Sequence, residues 1–171
     1  LTGDLGFGVF EKFQQNYRKQ YLNVGVAEQN MIGLATGMAL EGKKVFTYSI
    51  GNFATLRCLE QIRNDAAYHD VNINIVSIGG GFTYGALGMS HHATEDIAIM
   101  RALPNVTVVA PTTIWETMEA TRSIVKRSGV GYLRLDKKSA DDKNGNVGGR
   151  FEIGKARVLR QGNDVTLVGT H

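Results

Sequence analysis

Short runs of β-branched and apolar residues alternate with helical patterns along the first 135 residues, and that alternation leaves few folds open. Val45 to Tyr48, Ile73 to Ile78, Val106 to Ala110 and Gly131 to Leu135 read as strands. Ala54 to Tyr68, Glu95 to Ala102 and Ile114 to Lys126 read as helices. Strands this apolar, separated by helices, are covered on both faces, so the pattern predicts a three-layer α/β/α fold around a mostly parallel sheet. Ligands of such sheets settle beyond the carboxyl ends of the strands. Glu28, the loop after Tyr48, the loop after Ile78 and the residues after Leu135 all fall at such ends, which predicts that they converge on one edge.

Composition narrows the function classes. The chain has 171 residues, enough for one compact domain with a sizeable core, and its 43% hydrophobic and 20% charged content is that of a soluble globular protein. The formal charge of +3 is modest, and its basic residues are scattered rather than gathered on one helix, which argues against nucleic-acid binding. No apolar run approaches the roughly 20 residues that cross a bilayer, so no membrane role is expected and a cytoplasmic address is the default. The single cysteine, Cys58, cannot form an internal disulfide and falls in a helical pattern, which suits a small buried residue. Residues 137–150 are polar and glycine-bearing, as in a linker. Beyond them Lys155 to Arg160 and Val165 to Gly169 read as strands around a turn at 161–164.

Chemistry concentrates in a few places. Asn23-Val24-Gly25-Val26-Ala27-Glu28-Gln29-Asn30 ends an apolar run in a carboxylate, and a helix crowded with small residues follows at 33, 35, 37 and 39. On position alone, Glu28 could serve only the helix dipole. Val26, Met31 and Phe53 are candidates for an apolar wall around it. Phe53, beside Gly51-Asn52, is either a stacking surface or a core residue at a helix start. His91-His92 lie in a glycine-bearing loop, where histidine can donate or accept a proton near neutrality or simply face solvent. Their spacing is not that of a zinc site, and no metal ligand is assigned to this chain. Gly3-Asp4-Leu5-Gly6-Phe7-Gly8 is not a phosphate loop by spacing. Asp4 and Lys137 read on their own as a turn residue and a solvated linker lysine.

The Asn23–Met31 stretch resembles the segment of thiamin-diphosphate enzymes, chiefly the transketolase group, that carries their cofactor-activating glutamate. Glu60-Gln61-Ile62-Arg63-Asn64, the stretch from Ser90 to Ala98, and Pro104 to Pro111 extend the resemblance. It is to the carboxyl-terminal polypeptide of transketolases split into two chains. It implies a pyrimidine-binding domain at 1–136, a linker at 137–150, and at 151–171 the start of a truncated carboxyl-terminal domain. By the same resemblance Glu28 hydrogen-bonds a ring nitrogen of the aminopyrimidine, Phe53 packs on that ring, and Asp4 lies near the thiazolium. His91 contacts substrate oxygens near the reacting carbon, His92 stands where the family usually has glutamine, and Lys137 reaches the substrate phosphate. Magnesium and the diphosphate would be held by a partner subunit or domain, because the family's GDG…N motif is absent here. A homo- or hetero-oligomer is therefore implied, with the cofactor at an interface and a sugar as substrate.

One departure from the family pattern bears on specificity. Gly85-Ala86-Leu87-Gly88 stands where split transketolases commonly carry Gly-Glu-Asp-Gly, whose aspartate touches a substrate hydroxyl. An apolar residue leaves such a hydroxyl without a partner. The implied reaction is transfer of a two-carbon ketol unit between phosphorylated sugars. Two alternatives stand beside it: a carboligase like deoxyxylulose-phosphate synthase, and a non-catalytic paralogue that keeps a partner interface.

Overall fold

The computed structural model describes residues 1–137, 149–158 and 160–169. Four parallel strands, β1 (Val45–Ile50), β2 (Ile73–Ile78), β3 (Val106–Val109) and β4 (Val130–Leu135), form one sheet in the order β1-β2-β4-β3. Parallel bridges from Thr2 to Asn23 and to Tyr48 carry the sheet beyond β1, so the residues leading to Glu28 run beside it. The helices are α1 (Glu11–Asn16), α2 (Glu28–Leu40), α3 (Gly51–Ala54), α4 (Leu59–Gln61), α5 (Asp96–Ala102) and α6 (Ile114–Ile124).

Side chains alternate between the faces of a strand, and here each face has its own cover. Ile73, Ile75, Val130 and Tyr132 join Ile32 and Ala35 of α2, Ile62, Ala66 and Met100 in one buried cluster. Gly131, on the opposite face, lies under α6, where an added Cβ would stand 2.5 Å from Ile124 Cδ1. The layers are therefore α/β/α. Helix α2 buries Glu28, Met31, Ile32, Ala35 and Thr36, the i, i+3, i+4, i+7, i+8 stripe of a helix with one core face. A capping box between Thr113 and Glu116 starts α6. No helix among the described residues is long and apolar enough to cross a membrane.

Two expectations about local structure fail. The stretch 54–68 is not one helix: α3 ends at Ala54, a 3-10 turn covers Leu56–Cys58, α4 follows, and Ile62–Ala67 is a π-helical turn. The Thr55 hydroxyl donates to Gly51 O at 2.7 Å, and the Cys58 thiol donates to Phe53 O at 3.1 Å. Such side-chain bonds to the backbone compete with the regular helix ladder. Lys155 to Val158, Arg160 and Val165 to Gly169 also form no strand, because they have no hydrogen-bonded strand neighbour among the described residues. Apart from Lys137, Gly149 and Arg150, the linker at 137–150 lies outside the described residues, as does Leu159.

Candidate functional site

Glu28 opens α2 and is only 2% exposed. It lies beside Gly3, where a Cβ would stand 3.4 Å from the glutamate Cγ. A side chain at Gly3 would therefore pack directly on the glutamate. Arg57, in the 3-10 turn after α3, donates from Nη1 to Glu28 Oε2 at 2.9 Å. Its guanidinium carbon also sits 4.2 Å from the centre of the Phe53 ring, a cation–π distance. A buried carboxylate and an aromatic face are thus joined by one planar cation.

The chain of contacts continues across the sheet edge. The Phe53 and His91 rings lie 5.1 Å apart, and His91 and Tyr84 5.6 Å apart. Lys137 Nζ stands 3.6 Å from the centre of the Tyr84 ring, just past the end of β4. Asn52 Nδ2 donates to Ser90 O at 2.8 Å and ties the start of α3 to the histidine loop. Glu28, Phe53, His91 and Lys137 therefore share one edge, the last three following β1, β2 and β4 and Glu28 following the bridged residue Asn23.

The other expected residues flank this line. His92 Nε2 pairs with Gly85 O at 2.9 Å, and its ring lies 5.0 Å from Phe82. Asp4 is exposed and has φ +58°; its N–H donates to Asn23 Oδ1, and Asn23 Nδ2 donates back to its carboxylate at 3.0 Å. This reciprocal pair holds Asp4 one residue from Gly3. The expected apolar wall is only partly present: Met31 is fully buried, but Val26 is 73% exposed. The sharp turn before α2, with Gly25 at φ +74°, turns Val26 outward. Burial, reinforced by the Glu28 charge and opposed by Arg57, pushes the Cys58 thiol up to about 12, which leaves it a packing residue rather than a nucleophile. Among the described residues no group of three or more His, Cys, Asp or Glu is placed to hold a metal ion.

The family model described as "Transketolase, pyrimidine binding domain" matches residues 1–142. The chain belongs to the transketolase family. It is 43% identical over 159 residues to a Methanocaldococcus jannaschii protein named as a putative transketolase C-terminal section, covering 92% of this chain and 50% of that one. It is 35% identical over 156 residues to an apulose-4-phosphate transketolase subunit of Phocaeicola vulgatus, covering 91% and 50%. A solved split-gene transketolase, described as an inactive beta4 tetramer, superposes with a TM-score of 0.77 at 33% identity, over 88% of this chain and 48% of that one. The chain spans about half the length of the curated relatives it matches.

Two residues of this transketolase domain's candidate site escaped the sequence reading. Arg57 follows Phe53 by four positions, a spacing at which side chains meet on a helix, but the helix is broken there. Its ion pair with Glu28 spans 29 residues of sequence, a distance over which no local pattern speaks. Tyr84 lies deeper. Burial, then the neighbouring Tyr48, raises its phenol above the ordinary tyrosine range, and its ring fills the space a Gly79 side chain would need.

Proposed function

We propose that this chain is the pyrimidine-binding part of a cytoplasmic transketolase that uses thiamin diphosphate and magnesium to move a two-carbon ketol unit between sugars. The observation that carries the reading is the buried Glu28 carboxylate joined through Arg57 to the Phe53 ring, on the sheet edge that also bears His91. A flat, protonatable heterocycle suits that arrangement. The carboxylate offers an acceptor at one edge, Phe53 offers a π-face, and Gly3 leaves room beside the acid. Thiamin diphosphate, when bound, supplies an electron sink for making and breaking a carbon–carbon bond.

The residues of this chain do the rest. Glu28 holds a proton against the pyrimidine ring nitrogen, and Arg57 keeps its carboxylate in one orientation. Phe53 stacks on the pyrimidine. Asp4, fixed by Asn23, would face the thiazolium. His91 donates to or accepts from substrate oxygens near the reacting carbon, with His92 beside it. Lys137 places a positive charge where a phosphate or sulfonate end would lie. It is a point charge without the fork of an arginine, so it suits anions of differing geometry. The exposed Leu87, in the turn 85–87, favours a sugar that lacks a hydroxyl at that point.

Diphosphate and magnesium ligands come in this reading from a partner subunit or domain, in an oligomer that completes the site. Residues 137–150 link this domain to a following one that begins at 151. The names of relatives support the split arrangement and anionic sugars. They include apulose-4-phosphate and 6-deoxy-6-sulfo-D-fructose transketolase subunits.

The test is reconstitution of the full protein with a diphosphate-binding partner, thiamin diphosphate and magnesium. Ketol transfer is followed from fructose 6-phosphate, sedoheptulose 7-phosphate and 6-deoxy-6-sulfofructose. Transfer without release of carbon dioxide is expected. Turnover only with pyruvate, accompanied by carbon dioxide, would move the assignment to a decarboxylating carboligase. No turnover with any donor, in a complex that binds the cofactor, would point to a non-catalytic subunit.

A further inference from the structure

Beneath the candidate site, the inner face of the sheet carries a buried charged network. Arg134 of β4 is 7% exposed and donates from Nε to Asp96 Oδ2 at 2.7 Å; Asp96, at the start of α5, is 1% exposed. The Tyr132 hydroxyl donates to the same oxygen at 2.6 Å, and Arg134 Nη2 donates to Ala93 O at 3.2 Å. The guanidinium occupies the space that a side chain at Gly80 would need: a Cβ there would fall 2.3 Å from Arg134 Cζ. Gly80 and Ala93 are the two ends of the segment that carries Tyr84, His91 and His92.

That segment is closed on itself and on β4. Gly81 and Ala93 exchange both backbone hydrogen bonds, at 2.7 and 2.9 Å. Gly79 N donates to Leu135 O, and Gly80 N donates to Asp136 Oδ1 at 3.0 Å. Ala93 in turn packs against Gly51, where an added Cβ would lie 2.7 Å from the Ala93 Cβ. Gly51 opens the helix of Phe53. One guanidinium therefore sits under the joint between the His91 loop and the Phe53 helix, with Asp96 rather than Glu28 as its carboxylate.

We infer that Arg134 is a positioning residue for His91, its guanidinium, anchored on Asp96, holding residues 80–93 so that the His91 ring stays against Phe53 and Tyr84. A buried ion pair is a poor device for stability alone, because an apolar replacement of similar volume often serves as well. What it supplies here is a directed bond to one loop carbonyl and a seat that only glycine leaves open. The substrate-side role rests on the transketolase reading; the placement of the loop does not.

Two variants test it in the full chain with its partner. Arg134→Lys keeps the charge but cannot serve Asp96 and Ala93 together. Gly80→Ala keeps both charged groups and drives a methyl into the guanidinium, which preserves the test if the lysine variant fails to fold. The first readout is the His91 resonance in 13C-histidine NMR, assigned with His91→Gln, since the ring lies in the shielding fields of Phe53 and Tyr84. The second is the Michaelis constant for whichever ketose of the panel is turned over, set against the rate of thiazolium proton exchange. Both variants are expected to shift His91 toward the position of an exposed histidine and to raise the Michaelis constant by about 10- to 100-fold, leaving proton exchange unchanged. An unmoved His91 resonance in a folded variant would overturn the inference. So would proton exchange falling in parallel with transfer, which would signal general loosening. If wild type transfers no ketol unit, the function fails while the resonance still decides the placement.

Discussion

Removing either partner of the Glu28–Arg57 pair should have very different consequences, because the two ends differ in burial. Glu28 is 2% exposed, whereas the Arg57 side chain is 44% exposed. Arg57→Met keeps most of the aliphatic stem but strands an ionised carboxylate where water hardly reaches. A fully buried pair broken this way costs about 3–5 kcal/mol and an exposed one about 0–1, so a half-exposed pair should cost about 2 kcal/mol. Glu28→Gln leaves a guanidinium that can hydrate and still lies on Phe53, for a cost of about 0.5 kcal/mol or less. At about 2–4 °C per kcal/mol for a chain of this size, the first variant should melt about 4–8 °C low and the second within about 2 °C of wild type. Thermal melts of the three proteins at neutral pH check this. Equal costs for both variants would refute the argument from burial.

Cys58, with its thiol pushed up to about 12 by burial first and the Glu28 charge second, should resist iodoacetamide at pH ~8–9 until the chain unfolds; mass spectrometry with and without urea reads this directly. Gly129→Ala should destabilise by about 1–3 kcal/mol in urea titration, since φ is +78° there and a Cβ would lie 2.6 Å from Asn105 O. Phe53→Ala should weaken thiamin diphosphate binding to the reconstituted complex by about tenfold in calorimetry, the loss of one stacking face.

The parallel sheet was legible because its strands are written as short β-branched runs between helices, and their boundaries fall within two residues of those observed at Val45–Ile50, Ile73–Ile78, Val106–Val109 and Val130–Leu135. The convergence of Phe53, His91 and Lys137 followed from the same logic, since they lie in the segments that follow β1, β2 and β4, while Glu28 follows the bridged residue Asn23. What stayed hidden depended on contacts that no local pattern encodes. The break at Thr55 arises from hydroxyl and thiol bonds to the backbone, yet the apolar spacing of 54–68 still reads as one helix. Arg57 joins the site only through the turn that this break creates. Arg134 and Asp96, 38 residues apart, are ordinary charged residues until the fold buries them together. Val26 looked like a wall because it sits in an apolar run, and the turn at Gly25 faces it outward.

The central claim, that Glu28 is the group through which this chain activates a bound cofactor, is tested most directly at the thiazolium proton. Exchange of that proton into deuterated buffer is followed by NMR after acid quench, in the reconstituted complex carrying wild-type or Glu28→Gln chain. Glutamine keeps the shape of the side chain but offers no carboxyl to share a proton, so exchange should slow by about 100- to 10,000-fold while the fold and cofactor occupancy persist. Exchange at the wild-type rate in the Glu28→Gln complex would contradict the account and leave Glu28 as the buried first residue of α2.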